Sequence, residues 1–266
     1  MAKRPRKGSD PERRMSLAEH LIELRKRLTI AAIALVVGAI ASFFFAKNVI
    51  DFLVLPIDAA ANDRNIYLSY TTVTEQFDLR FQIAFALSIL VTSPVWLYQI
   101  LAFFVPGLTK REKRYTLGFF FTAVPMFLAG GFVGLLIFPH MIALLTSFDS
   151  TAVGVTNLSA RPYYDFIVKL VLAVGVAFVL PVFLVLLNFL GVISGRSILK
   201  GWRVAILIIT LFCATATPAA DIVSMFVLAI PMAFLYFAAV GVALWHDKGV
   251  AKREARLDAE LAAEPA

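Results

Sequence analysis

Two glutamates have residue types and surroundings that could bind a cationic group. Glu23 lies among leucines and basic residues, and Glu112 is the acidic residue inside the basic run from Lys110 to Arg114. In a structural interpretation, Glu23 pairs with Arg27 at i,i+4 for only ~0.3–0.5 kcal/mol, and Glu112 relieves repulsion among its neighbours. In a functional interpretation, both carboxylates accept guanidinium groups of a partner peptide, in charge-assisted hydrogen bonds of ~1.5–3 kcal/mol each. Residue type alone favours the structural interpretation.

The sequence offers little that would support catalysis or a bound cofactor. The three histidines, His20, His140 and His246, are far apart in sequence, so no cluster of metal ligands is visible. No GxxxxGKS/T, GxSxG or HExxH motif occurs, and no Ser/His or Asp/Asp pair of an intramembrane protease can be matched. The single Cys213 lies in an apolar run and cannot form a disulfide within one chain. We expect no enzyme activity, no metal and no cofactor.

The composition places these residues in a membrane protein. Of the 266 residues, 60% are hydrophobic and 16% are charged, which is more apolar surface than one soluble core of this size can bury. The expected fold class is all-α, a polytopic membrane protein with six transmembrane helices and an N-terminal amphipathic surface helix. The fifth span is the shortest, ~24 Å, so we expect bilayer thinning or a protected polar cavity there. The apolar runs that predict the spans are 29–46, 77–101, 116–139, 163–190, 203–218 and 222–244.

The distribution of lysine and arginine predicts the orientation. Most of these residues lie before the first span, between spans two and three, near the start of span five, or after span six. Because basic residues in short loops stay on the cytoplasmic side, both termini of this multi-pass cell-membrane protein are expected there. The net charge of +7 is then explained by loops and anionic lipid headgroups, and we expect no nucleic-acid partner. Of the 25 basic residues, those left for the other side or the spans are Lys47, Arg64, Arg80, Arg161 and Lys169.

Three regions follow from this pattern. Residues 1–14 are basic, contain Pro and Gly, and are expected to form a disordered tail. Residues 15–245 form the six-span domain, and residues 246–266 form a charged cytoplasmic tail. The segments 49–76 and 140–162 are expected to be ordered caps on the outer bilayer surface.

The segment from Met15 to Leu28 is the predicted surface helix. Ser16 and Glu19 fit a capping box, and leucines recur at helical spacing on one face. We expect this helix to lie on the cytoplasmic surface before the chain turns into the first span.

A series of short motifs follows the predicted spans in order. They are Ser16 to Leu28, Glu75 and Phe77, Pro94, Leu97-Tyr98-Gln99, Ala102-Phe103, Pro106-Gly107-Leu108 with Glu112, Gly175 to Pro181, and Thr217-Pro218 through Asp221 to Met232. Together these stretches resemble the TatC family of twin-arginine protein export, over roughly residues 15–245.

The resemblance implies a receptor for signal peptides that carry consecutive arginines. The receptor would work in an oligomeric complex with TatA- and TatB-like single-span subunits, and move folded proteins across the membrane with the proton-motive force. By position, Glu23 and Glu112 match the carboxylates that bind the two arginines, with His20, Arg25 and Phe103 around them. Candidates for partner contacts or transport are Glu19, Pro56, Glu75, Phe77, Val179, Asp221 and Met225, of which Pro56 could simply shape a helix end and Asp221 could cap span six.

Two positions depart from the family pattern. The family commonly carries Glu or Gln two residues before the proline that matches Pro181, where this chain has Val179. Met225 likewise stands where some relatives have Gln. Asp165 and Lys169 lie at i,i+4 near the outer end of the same span, where we expect a structural salt bridge; partner docking or replacement of the missing Glu is the alternative.

Two other functions fit parts of the sequence. A secondary transporter for a small solute would have a midplane site built from Asp165, Lys169, Asn188 and Gln99. A structural scaffold without a ligand would be indifferent to charge at Glu23 and Glu112. A conspicuous acidic site on the cytoplasmic surface would favour the receptor.

Overall fold

The chain forms a bundle of helices with one small pair of strands. The computed structural model describes residues 17–61, 66–104, 110–147, 156–216 and 222–263. The all-α expectation is confirmed over this part of the chain. In chain order the elements are α1 (Leu17–Ala61), β1 (Ile66–Ser69), α2 (Glu75–Val91), α3 (Ser93–Phe104), α4 (Lys110–Ser147), β2 (Thr156–Ser159), α5 (Ala160–Phe189), α6 (Gly195–Lys200), α7 (Trp202–Ala216) and α8 (Ile222–Ala263).

Four of these helices, α1, α4, α5 and α8, are long and apolar enough to cross a membrane. Helices α2 and α3 reach that length only together, and they are bent by 57° at the break between them. Helix α7 is apolar but has only 15 residues, about 22 Å at 1.5 Å per residue. The described helices therefore support four spans, or five with the bent pair, and the six-span count stays a prediction that depends on α7.

Helix α1 differs from the expectation of a separate surface helix. The segment after Leu17 continues without a break through the first apolar run and ends at Ala61. Neither proline nor glycine occurs between Leu17 and Val37, so nothing interrupts the backbone hydrogen-bond ladder. The prediction of a turn between the amphipathic segment and the first span was wrong, since both belong to one helix.

The break between α2 and α3 positions the end of α3. Thr92 is the residue between the two helices, and Pro94 has no backbone N–H that could donate a helical hydrogen bond back across this break. The indole Nε1 of Trp96 donates to the carbonyl oxygen of Ile89 at 2.9 Å, which satisfies an acceptor near the break. Helix α3 then packs along α1, and its last turn reaches the first turns of α1 at Phe103.

One end of the bundle, which we call the Glu75 end, joins α1, α2, α5 and the strands. The hydroxyl of Tyr163 in α5 donates to the carbonyl oxygen of Leu53 in α1 at 2.6 Å. Strands β1 and β2 pair in parallel, with Ile66 opposite Thr156 and Ser69 opposite Ser159. The described parts of both predicted outer segments are thus helix and strand, apart from the turn at 70–74.

The opposite end, which we call the His20 end, holds the start of α1, the end of α3 and the start of α4. The C-terminal half of α5 returns to this end, because Phe183 contacts Phe119 near the start of α4, with ring centroids 6.3 Å apart. Helix α8 reaches the same end and continues to Ala263, well past the predicted end of the last span.

The core lies between α4 and α5, whose backbones approach closely. A Cβ on Gly130 would lie 2.7 Å from the carbonyl oxygen of Val174 and 2.9 Å from the Cα of Gly175. Only a residue without a side chain allows this approach. Tight packing of this kind, through small residues, is how helices associate when lipid removes the hydrophobic driving force.

Candidate functional site

The His20 end brings together two residues that the resemblance places in one recognition surface. The imidazole of His20 in α1 stacks on the ring of Phe103 in α3, with centroids 4.3 Å apart and planes 25° apart. These residues are 83 positions apart in the chain, so the contact depends on the bend that directs α3 toward α1. An imidazole and an aromatic face next to each other can hold a ligand's apolar stem or a flat cationic group.

Glu23 lies on α1 one turn after His20, on the same side of the helix. Its Oε1 accepts hydrogen bonds from Arg27, from Nε at 2.9 Å and from Nη2. The side chains of Arg27 and Glu23 are only 24% and 18% exposed, so this is a partly buried ion pair. The expected i,i+4 pair of Glu23 with Arg27 is therefore present, and a role of Glu23 in binding stays a prediction.

The second oxygen of Glu23 does not take part in this ion pair. Oε2 is buried and has no hydrogen-bond partner among the described residues. A carboxylate oxygen without a donor and without water carries a free-energy cost, which a donor from a ligand would remove. Glu23 is consequently held in place by Arg27 at one oxygen and has acceptor capacity at the other.

Glu112 belongs to the first turns of α4, and its side chain lies outside the described residues. Helix α3 ends at Phe104 and α4 begins at Lys110. Six residue steps of at most ~3.6 Å limit the separation of these two helix ends to about 22 Å. Chain connectivity thus keeps Glu112 at the His20 end, whereas its convergence with Glu23 stays a prediction.

Arg25 and Glu19 belong to the first turns of α1. Both residues are exposed, and the carbonyl oxygen of Arg25 accepts from the hydroxyl of Thr29 at 2.8 Å. Arg25 and Lys26 place exposed positive charge close in sequence to the partly buried Glu23. A ligand that reaches Glu23 has to approach through a basic surface.

Glu75, at the Glu75 end, differs from Glu23 because both of its carboxylate oxygens have hydrogen-bond donors. It is 3% exposed, and its Oε2 accepts from the backbone N–H and the hydroxyl of Thr71 at 2.6 and 2.7 Å. Its Oε1 accepts from the backbone N–H of Arg161 at 3.2 Å. With both oxygens occupied, Glu75 joins the start of α2 to the start of α5. Phe77 beside it is 58% exposed and contacts Phe81 edge-on at 4.7 Å.

The two positions that depart from the family pattern are in apolar surroundings. Val179 is partly buried against a cluster of Leu101, Phe119, Ala123 and Leu186, contributed by α3, α4 and α5. Met225 packs against the large core of the bundle. Neither side chain supplies a polar group.

Two further candidates cannot be placed in this way. Pro56 lies within α1 by its backbone, and its side chain is outside the described residues. Asp221 falls wholly outside them.

The residues of the alternative transporter site do not come together. Asp165 Oδ1 accepts from the side-chain amide of Gln82 in α2 at 2.6 Å, and among the described ion pairs none joins it to Lys169. The expected salt bridge was wrong, because Gln82 presents a donor across the helix interface while Lys169 is exposed. Asn188 is 23 residues further along the same helix, about 35 Å away. No midplane site forms from this set.

Sequence reasoning missed the polar contacts that join helices. Gln82 is a polar residue within the predicted second span, which was a usable signal for an interhelical partner. Asp247 accepts from Asn188 Nδ2 at 2.8 Å and from the backbone N–H of Gly195 at 2.7 Å. This contact links the extension of α8 to the turn after α5, and no local sequence pattern predicted it.

These observations define a class: a multi-pass helical membrane protein with a positioned carboxylate and a stacked His/Phe pair at one end. Comparison with known proteins makes the identification specific. The sequence model of the family described as Sec-independent protein translocase protein (TatC) matches residues 19–231. The chain belongs to the TatC family.

Named relatives align with this chain over most of their length. The chain is 41% identical to the Sec-independent protein translocase protein TatC of Xylanimonas cellulosilytica, over 91% of this chain and 88% of the relative. It is 36% identical to the protein of the same name from Rothia mucilaginosa, over 93% and 85%. It is 33% identical to TatCy of Bacillus subtilis, over 84% and 86%.

Solved structures agree with the fold. A crystal structure described as the twin arginine translocase receptor TatC in DDM superposes with a TM-score of 0.73 at 30% identity, covering 85% of this chain and 99% of that one. A second crystal structure of the same description gives 0.70 at 31% identity. The helix arrangement described above is therefore the one found in that family.

Proposed function

We propose that this chain is the signal-peptide receptor and core subunit of a twin-arginine translocase. It would export folded proteins across the cell membrane with the proton-motive force and catalyse no reaction. The observation that carries the proposal is the unpartnered, buried Oε2 of Glu23, next to the stacked His20 and Phe103. The names of the relatives and the description of the solved structures as a receptor support it.

The proposed ligand is a peptide segment with two consecutive arginines. Glu23 would accept one guanidinium at Oε2 while Arg27 holds Oε1, and Glu112 would accept the other. A guanidinium has a planar fork of donors that matches a carboxylate, whereas an ammonium is a strongly hydrated point charge. Arginine is consequently preferred to lysine at both positions.

The basic surroundings set a condition on this mechanism. Arg25 and Lys26 on α1, and the basic run that opens α4, repel a cationic peptide. Only carboxylates that are held in place can overcome this repulsion through short, charge-assisted hydrogen bonds. Peptides with a positive charge but no paired arginines would be rejected by the same surface.

The proposed topology follows from the charge distribution. The His20 end would lie in the cytoplasm with both termini, and six spans would be completed by α7. The partners would be TatA- and TatB-like single-span subunits in an oligomeric complex.

The experiment is export of a folded reporter that carries a twin-arginine signal. Cells that depend on this chain would receive the wild type, Glu23→Ala, Glu112→Ala or the control Glu260→Ala, an exposed glutamate of α8. We expect export to fall strongly in the first two variants and to persist in the control, at equal membrane levels of all four. Wild-type export in both Glu23→Ala and Glu112→Ala would overturn the proposal.

A further inference from the structure

A small pocket at the Glu75 end contains two of the five basic residues that the charge distribution leaves outside the basic loops. Its volume is about 190 Å³. It lies where α1, α2, α5 and the segment after β1 meet. The lining residues are Lys47, Ile50, Tyr70, Gln76, Leu79, Arg80 and Tyr164.

Tyr164 gives this pocket a buried hydroxyl. The residue is 0% exposed, and its hydroxyl lies beside that of Tyr70, which also lines the pocket, with Asp51 as the other polar neighbour. Each hydroxyl carries one donor hydrogen, so two neighbouring hydroxyls that share one hydrogen bond leave one hydrogen to donate. A ligand oxygen in the pocket would accept it.

The charges around the pocket favour an anion. Lys47 and Arg80 are both exposed, and neither belongs to an ion pair among the described residues. Asp51 is a nearby carboxylate and offsets one of these two positive charges. The carboxylates of Glu75 and Asp165 at this end accept hydrogen bonds elsewhere, from Thr71 and Gln82. The ammonium of Lys47, the guanidinium of Arg80 and the hydroxyl of Tyr164 are all donors. A ligand with several anionic oxygens would satisfy all three.

The size of the pocket and its depth in the membrane further restrict the class of ligand. The volume of about 190 Å³ is large enough to hold a phosphate group. Lys47 directly follows the apolar run 29–46, and Tyr164 lies near the start of α5, so the pocket is at the boundary between hydrocarbon and water. Lipid phosphates lie at this depth, and basic pockets between helices bind them.

We propose that this pocket binds a phosphate group, through Lys47, Arg80 and Tyr164. The phosphate could belong to a phospholipid headgroup or be free in solution, and the chemistry of the site is the same for both. The inference stands apart from any role in export, since it concerns the end of the bundle opposite Glu23.

The test uses the full chain, purified in detergent and stripped of lipid. Its thermal unfolding midpoint is followed against dioleoyl phosphatidylglycerol, against dioleoylglycerol with the same acyl chains but no phosphate, and against inorganic phosphate compared with chloride at equal ionic strength. The variants are Lys47→Gln/Arg80→Gln and Tyr164→Phe. Lys169→Gln is the control, because it removes an exposed cation of α5 that does not line the pocket.

We expect the wild type and Lys169→Gln to be stabilised by a phosphate-bearing ligand more than by its control compound. The double variant should weaken the apparent affinity by about tenfold or more for each charge-assisted hydrogen bond lost. Tyr164→Phe should weaken it by a smaller factor, and it keeps the test valid if the double variant does not fold. A response to phosphatidylglycerol alone identifies a lipid headgroup, whereas a response to inorganic phosphate as well identifies a site for free anions. The proposal is overturned if neither ligand stabilises the wild type, or if the pocket variants respond like Lys169→Gln.

Discussion

Glu23→Gln is the substitution that probes the proposed binding mode most finely. It preserves the length of the side chain and one carbonyl oxygen, and it replaces the other oxygen by an NH₂ group. Arg27 can still donate to the remaining carbonyl oxygen. The position that corresponds to Oε2 changes from an anionic acceptor into a donor, which opposes any guanidinium that approaches it.

The size of the effect follows from the surroundings of this oxygen. Oε2 is buried and has no donor among the described residues, so a ligand guanidinium would form a new charge-assisted hydrogen bond there. Such a bond contributes ~1.5–3 kcal/mol, which is about 10- to 150-fold in Kd. Because the side chain of Glu23 is 18% exposed, some screening by solvent remains and the lower half of this range is expected.

The assay is fluorescence anisotropy of a labelled peptide with two consecutive arginines, titrated with the protein in nanodiscs. A second peptide with two lysines completes a double-mutant cycle with wild type and Glu23→Gln. We expect Glu23→Gln to weaken binding of the arginine peptide at least tenfold and to narrow its advantage over the lysine peptide. Glu260→Gln should leave both affinities unchanged.

The cycle also provides the refutation. If Glu23→Gln left the affinity for the arginine peptide unchanged, Glu23 would not contact an arginine. If it weakened both peptides by the same factor, Glu23 would not distinguish arginine from lysine, contrary to the proposed match between a guanidinium and this carboxylate.

Two further substitutions test the packing. Gly130→Ala should lower the free energy of unfolding in detergent by about 1–3 kcal/mol, because its Cβ would meet backbone atoms of α5, whereas Gly241→Ala, with no atom within 4 Å, should not. Equal midpoints for both alanine variants would contradict the close helix approach. Val179→Glu should lower stability by about 2–3 kcal/mol relative to Val179→Leu, because a carboxylate would enter the apolar cluster around Leu101. A Val179→Glu protein as stable as Val179→Leu would show that a polar group is accommodated there.

The sequence predicted the apolar helices well, because hydropathy is summed over many residues. All six apolar runs correspond to helical segments, including the short α7 and the bent pair α2 and α3. The bend itself had a local signal in Pro94, which has no backbone N–H to donate across the break. The continuation of α8 to Ala263 was also readable, since alanine, glutamate, leucine and arginine in that stretch are strong helix formers.

Contacts between distant segments could not be predicted from local patterns. The pairing of β1 with β2 joins residues 90 positions apart, and four-residue strands leave little periodicity. The hydrogen bond from Gln82 to Asp165 replaced the expected i,i+4 ion pair because tertiary packing offered a nearer donor. The family resemblance implied that His20 and Phe103 share one surface, but neither it nor the neighbouring residues predicted that their rings stack.

The central claim is that Glu23 and Glu112 together bind a pair of arginines. The most direct measurement is photocrosslinking of a twin-arginine signal peptide to membranes that contain the wild type, Glu23→Ala or Glu112→Ala, at matched expression. If both carboxylates bind the arginine pair, each alanine variant loses most of the crosslinked product. Undiminished crosslinking in both variants would contradict it.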